Sequence, residues 1–264
     1  MAGYEGDVAI PYDQALGPVL FDHYGADTAR RIGERSVRDV LEIAAGTGIV
    51  TRHLRDALPE HAQLTAIDIS DSMMDVARGK FLPHEQVTFQ VADATELPFE
   101  DEVFDAVVCQ FGVMFFDKDA GFREAYRTLR HGGRYLFRVW DSEHYNPYAS
   151  LTFEVLKQFY PSNTPRFLFE TVACHQIDPI KEKLIRAGFD RMVVSVHRKE
   201  HAIQDVAAFA RALVFSPLIT EIRERGGVAP EEIAEALTEA LIEEYGSNPT
   251  HFPMQAILFE VEKP

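Results

Sequence analysis

The segment VLEIAAGTG at residues 40–48 sets a carboxylate, Glu42, just ahead of two glycines, Gly46 and Gly48, where an apolar run gives way to a helical pattern. Glycine suits such a junction because the backbone must turn tightly and let a ligand come close. The helix start behind it leaves amide N–H groups unpaired and carries a partial positive charge, which suits a carboxylate or a phosphate. Asp68 closes the next apolar run, LTAID. A carboxylate at that place can accept hydrogen bonds from both hydroxyls of a ribose. These residue types in this order describe a nucleotide-like cofactor seated on a strand-to-helix turn.

Two cofactor classes share that logic. The dinucleotide pattern G-x-G-x-x-G/A started at Gly46 puts Thr51 where a third small residue should pack helix on strand. Glu42 inside the strand instead fits the pattern E/D-x-G-x-G-x-G, with Ala44 in place of the first glycine. The ordered segments VLEIAAGTG, AIDIS, VADATELPF, FDAVVCQFGVMFF and LRHGGRYLF resemble class I S-adenosylmethionine (SAM)-dependent methyltransferases. Among these the resemblance is to small-molecule enzymes related to the ubiquinone and menaquinone biosynthesis C-methyltransferases. It is strong over residues 38–140 and weak elsewhere.

The resemblance implies a SAM cofactor and a role for each matching position. Glu42, Ala44 and Gly46 would surround the methionine part, and Asp68 would hold the ribose hydroxyls. Ser70 and Met73 would lie beside the adenine, Met73 offering a soft apolar face. Asp93 and Ala94 would meet the adenine through the Asp side chain and the next backbone N–H. Gln110 would meet the methionine ammonium and the methyl-transfer region through a carbonyl or its side chain. No catalytic base is assigned. His23, His144 and His175 fall in segments outside the motifs, and histidines in such places are mostly surface or packing residues. Cys109 reads as a small buried strand residue, and Cys174-His175 has no second ligand pair nearby, so no metal site is expected.

The elements that must position these residues follow from periodicity. Apolar runs at 38–43, 64–69, 87–91, 104–111, 134–140, 191–197 and 256–261 read as seven strands. Helical patterns at 46–58, 71–78, 120–130 and 178–188 alternate with them, Ser70 serving as an N-cap, and Asp178 and Pro179 as an N-cap and first position. Gly132 and Gly133 read as the turn into the fifth strand. The expected fold is α/β: a Rossmann-like, seven-stranded, mostly parallel sheet with helices on both faces. A helical cap is expected from the N-terminus and insertions, at about residues 1–32, 141–175 and 202–251, with the SAM-binding core at about 33–140 of a single domain 1–264. Residues 141–180 hold seven aromatic rings, Tyr145, Tyr148, Phe153, Phe159, Tyr160, Phe167 and Phe169, which could line an acceptor pocket or simply anchor the cap.

The chain's 46% hydrophobic and 26% charged residues are ordinary for a globular protein with a sizeable core. A net charge of -16 repels phosphate backbones and anionic membranes, so nucleic acid is not an expected partner. The residues at the end of the fourth strand, Cys109-Gln110-Phe111-Gly112, also differ from the N/D-P-P-Y/F segment of enzymes that methylate nucleic acid bases. Glu5, Asp7 and Asp13 stand where a secretory signal would be basic and then apolar, and no apolar run is long enough to span a bilayer. A cytoplasmic enzyme is expected, with a small-molecule methyl acceptor, no membrane insertion, and compatibility with a homodimer. Two other readings remain: an NAD(P)-dependent oxidoreductase and a non-catalytic SAM-binding protein.

Overall fold

The computed structural model describes residues 9–264. Glu5, Asp7 and the first eight residues of the expected N-terminal cap segment lie outside the described residues. In chain order the elements begin with a helical turn α1 (Ala9–Pro11), a π-helical stretch (Tyr12–Phe21) and α2 (Asp22–Gly33). Next come β1 (Asp39–Ile43), α3 (Ile49–Ala57), β2 (Gln63–Asp68), α4 (Asp71–Arg78), β3 (Val87–Val91) and β4 (Phe104–Gln110). After a 3-10 turn (Val113–Phe115) follow α5 (Lys118–Thr128), β5 (Leu129–Trp140), α6 (Pro147–Phe159), α7 (Phe167–Val172) and α8 (Ile177–Ala187). The chain closes with β6 (Arg191–Ile203), α9 (Val206–Val214), α10 (Leu218–Arg225), α11 (Pro230–Tyr245) and β7 (Thr250–Glu262).

The strands form one seven-stranded sheet in the order β3-β2-β1-β4-β5-β7-β6. β1 pairs in parallel with β2 and β4, β2 with β3, and β4 with β5. β7 runs antiparallel to β5, since Gly132 N–H donates to Lys263 O at one end and Asp141 N–H to Gln255 O at the other. The strand order reverses between β1 and β4, and at that switch point a parallel sheet opens a crevice at the carboxyl ends of its strands.

The described residues form two compact units. One comprises Phe21–Val139, Gln176–Val196 and Ile257–Pro264. Strand alternation gives it two cores. On one face Val40, Leu64, Ala106, Val108 and Leu136 pack with Ala29 and Ile32 of α2 and Val50 and Leu54 of α3. On the other, Tyr135 and Phe137 meet Phe122 of α5, and Tyr135 also meets Phe189 beyond α8. The second unit comprises the described part of Met1–Leu20 with Trp140–His175 and His197–Ala256. In it Phe209 packs against Tyr148 and Phe252, and Phe153 lies against Phe169. Buried Asn146 donates to the carbonyls of Asp141 and Gln255. Of the rings read from residues 141–180, Phe153 and Phe169 thus lie against each other and Tyr148 lies against Phe209, while Tyr145 is exposed.

Three local expectations are corrected. Gly132 and Gly133 do not precede the fifth strand but lie within it. The pairing jumps from Phe104↔Leu129 to Ala106↔Arg134, so residues 130–133 bulge out, with Gly132 at φ +76. The helix expected at 46–58 starts only at Ile49, because Ala44, Gly46 and Gly48 all hold positive φ. α8 is capped by Gln176, so Asp178 and Pro179 are already helical. Proline is tolerated there because first-turn amides have no helical acceptor.

Candidate active site

The β1–α3 turn is built from left-handed backbone. Ala44 sits at φ +56, Gly46 at +55 and Gly48 at +80. Gly48 is required on two counts: a side chain would be strained at that φ, and its Cβ would lie 2.9 Å from Ala77 Cβ on α4. At Gly46 an added Cβ would meet nothing within 4 Å, so this peptide borders open space. Ala44, standing where the pattern has glycine, is accommodated by a glycine opposite. A Cβ on Gly112 would come within 2.4 Å of Ala44 Cβ.

Beneath the turn, Glu42 on β1 is 1% exposed, and its Oε2 has no hydrogen-bond partner. Burial pushes its carboxyl up to about 8, helped by the charge of Asp68 and opposed by the Thr51 hydroxyl on α3. An orphaned, buried carboxyl is costly by itself and fits a cationic group brought to this place.

Asp68 ends β2 and ties three segments together. Gly46 N–H donates to Oδ2 at 2.8 Å and Ser70 N–H to Oδ1 at 2.9 Å. Burial raises its carboxyl despite these N–H donors. Each oxygen retains a lone pair for a further donor. Ser70 caps α4, its Oγ accepting from Met73 N–H at 3.4 Å. Met73 itself is only 2% exposed, so its side chain belongs to the core. The apolar surface beside Asp68 comes from Ile69, 47% exposed, which the sequence reading passed over. The signal for it was present: an isoleucine in AIDIS at a strand end, where a polar residue would be expected.

Asp93 lies just past β3, exposed, with Oδ1 accepting from Thr95 N–H at 2.8 Å and Thr95 Oγ1 at 2.7 Å. Those bonds hold its carboxyl below the ordinary range. Ala94 beside it is buried. Gln110 closes β4 and is 8% exposed, its Oε1 accepting from Arg138 Nη1 at 3.2 Å. Arg138 is fully buried on β5 and went unnoticed in the sequence, although an arginine inside YLFRVW signals a buried partner. Cys109 is buried, and burial pushes its thiol up to about 12, far from a nucleophile's range. His23 and His144 are exposed, and His175 Nδ1 bonds Val172 O.

The sheet order thus brings the acidic glycine turn and the carboxylate at the end of β2 together at the switch point, joined by the Gly46–Asp68 hydrogen bond. A family model described as a methyltransferase domain matches residues 40–133. The ubiquinone/menaquinone biosynthesis C-methyltransferase UbiE of Pseudomonas aeruginosa is 31% identical over 188 residues, covering 63% of this chain and 73% of that protein. The UbiE of Proteus mirabilis is 30% identical over 179 residues, covering 62% and 71%. Phosphoethanolamine N-methyltransferase 2 of Haemonchus contortus, solved with SAM, superposes with a TM-score of 0.60 at 18% identity, covering 97% of this chain and 56% of that one. The YcgJ protein of Bacillus subtilis gives 0.57 at 19%, covering 91% and 98%. The chain belongs to the class I SAM-dependent methyltransferases. Within that class it is similar to the UbiE C-methyltransferases, and its cofactor is SAM.

Proposed function

We propose that the enzyme methylates a small molecule and holds SAM across the carboxyl ends of β1, β2, β3 and β4. The observation that carries the placement is the pair of carboxylates, Glu42 and Asp68, flanking a turn that borders open space at Gly46. Glu42, with its orphaned Oε2, would receive the methionine ammonium. Asp68, already fixed by the Gly46 and Ser70 amides, would accept the ribose hydroxyls. Ile69 and Ser70 would flank the adenine, with Asp93 and the Ala94 N–H at its polar edge. Ala44 and Gly46 would border the methionine part, which Met73 supports only from the core.

The bound cofactor supplies an activated methyl on a sulfonium, open to in-line attack. The protein's share is orientation, which can lower such a barrier by about 7–11 kcal/mol when the reacting atoms are held in line. No side chain is assigned as a base, since Cys109 is held as a thiol and the only carboxyls at the turn are committed to the cofactor. A small-molecule acceptor is supported by the -16 charge and by Cys109-Gln110-Phe111-Gly112 at the end of β4. The UbiE relatives are named for C-methylation in ubiquinone and menaquinone biosynthesis, which makes quinone-type rings the first acceptors to try.

The test is transfer of a tritiated methyl from SAM to fractionated metabolites, quinone precursors, tRNA, DNA and protein. Label is expected in the organic small-molecule fraction. Label confined to nucleic acid or protein would refute the acceptor class, and SAM binding without turnover on any fraction would favour a non-catalytic role.

A further inference from the structure

The Gln110 amide has only one pole left to use. Its Oε1 accepts from Arg138, while its Nε2 is buried without a partner. The orientation is set by charge, because a guanidinium carries donors only and the reversed amide would set NH2 against it. Arg138 cannot swing away. Its guanidinium donates to Tyr24 O at 2.5 Å and to Thr28 Oγ1, pairs with Asp27, and lies 5.5 Å from the centre of the Tyr24 ring. Asp27 is itself gripped by Arg30 and Arg31, each at 2.9 Å. Thus α2 holds Arg138, and Arg138 holds Gln110 with its donor facing away. A cation on the oxygen also polarises the amide and strengthens its N–H donors.

We propose that Gln110 Nε2 donates a hydrogen bond to the carboxylate of the methionine part of SAM, and that Arg138 is the positioning residue that fixes the amide for it. This rests on the cofactor placement proposed above. The methionine part offers an ammonium, a sulfonium and a carboxylate. The first two are cations and attract no donor, so of the three only the carboxylate can accept from Nε2. The Gln110 side chain is thereby removed from the ammonium, which is left to Glu42 and to backbone carbonyls.

Gln110→Glu tests this, because it keeps size and the Arg138 pairing but turns the free pole from donor to acceptor. The probes are S-adenosylhomocysteine (SAH) and decarboxylated SAM, titrated calorimetrically. The SAH Kd is expected to rise about 10- to 100-fold, with no weakening of decarboxylated SAM. An unchanged SAH Kd, or equal weakening of both probes, would overturn the proposal. For Arg138, the penalty of Gln110→Ala on SAH should vanish in an Arg138→Met background, or in Arg138→Lys if that variant folds better. A purely structural arginine would leave the penalty intact. If the wild-type protein bound no SAH, the cofactor placement itself would fail, a result distinct from a failure at Gln110.

Discussion

Replacing Glu42 by glutamine should make the unliganded protein more stable, and increasingly so as pH rises. The Glu42 carboxyl lies near 8 when buried against an ordinary 4.5, so the folded chain keeps a proton that the unfolded chain has lost. The native state binds more protons between those two values, and its stability therefore falls as pH rises through them. The favourable share is complete below 4.5 and gone above 8. At about 1.4 kcal/mol per pH unit the loss reaches about 5 kcal/mol. Glutamine cannot ionise and removes that slope, while Asp68 contributes its own in both proteins. In a chain of this size such a difference corresponds to on the order of 10 °C in Tm at pH 8. Thermal melts from pH 5 to 9 should show the two curves diverging toward alkaline pH. An ammonium beside Glu42 would also drive the proton off, so SAH binding at pH 7 should release close to ~1 proton in the wild type and none from this site in Glu42→Gln. Calorimetry in buffers of differing ionisation heat reads this directly. A Tm gap that does not grow with pH, together with equal proton release from both proteins, would refute the reasoning.

Three further outcomes follow from the same contacts. Asp68→Ala should weaken SAH by about 1.5–3 kcal/mol, the worth of a charge-assisted hydrogen bond, and an unchanged calorimetric Kd would remove Asp68 from the ribose. Gly112→Ala, whose Cβ would fall 2.4 Å from Ala44 Cβ, should cost about 1–3 kcal/mol in urea unfolding. Adding Ala44→Gly should recover part of that loss, and no recovery would mean the two residues are not the clashing pair. Asp27 is pushed up by burial, but Arg30, Arg31 and Arg138 hold it below its ordinary 3.8. Its contribution is present above that value and lost as pH falls below it, so the stability gap between wild type and Asp27→Asn should shrink on acidification. A gap constant from pH 6 to 3 would show that the ion pairs do not stabilise the fold.

The strands that carry the site were legible because each is a short run rich in apolar and β-branched residues, and β2 and β4 close on the polar residues Asp68 and Gln110. β1, β2, β3 and β4 fall within a residue of where the pattern puts them. Ser70 as the cap of α4 was legible for the same reason: a small hydroxyl stands just before an amphipathic stretch. Other features are tertiary and leave no periodic trace. α9, VAAFARALV, buries Val206, Phe209, Ala210, Ala212, Leu213 and Val214, and a helix apolar nearly all round shows no stripe to read. The bulge at Gly132 is set by pairing across two strands, and local turn chemistry alone suggested a simple turn. Met73 and Met74 sit side by side in sequence, and only packing decides that both are buried. The Asp27–Arg138–Gln110 chain joins three elements far apart in sequence, so spacing could not reveal it.

The placement of the cofactor is tested most directly by a crystal structure of the protein with SAH. It should show the ribose hydroxyls within about 3.2 Å of the Asp68 carboxylate, the ammonium at Glu42 and the carboxylate at Gln110 Nε2. SAH seated elsewhere, with Glu42 Oε2 and Gln110 Nε2 still unpaired, would contradict it.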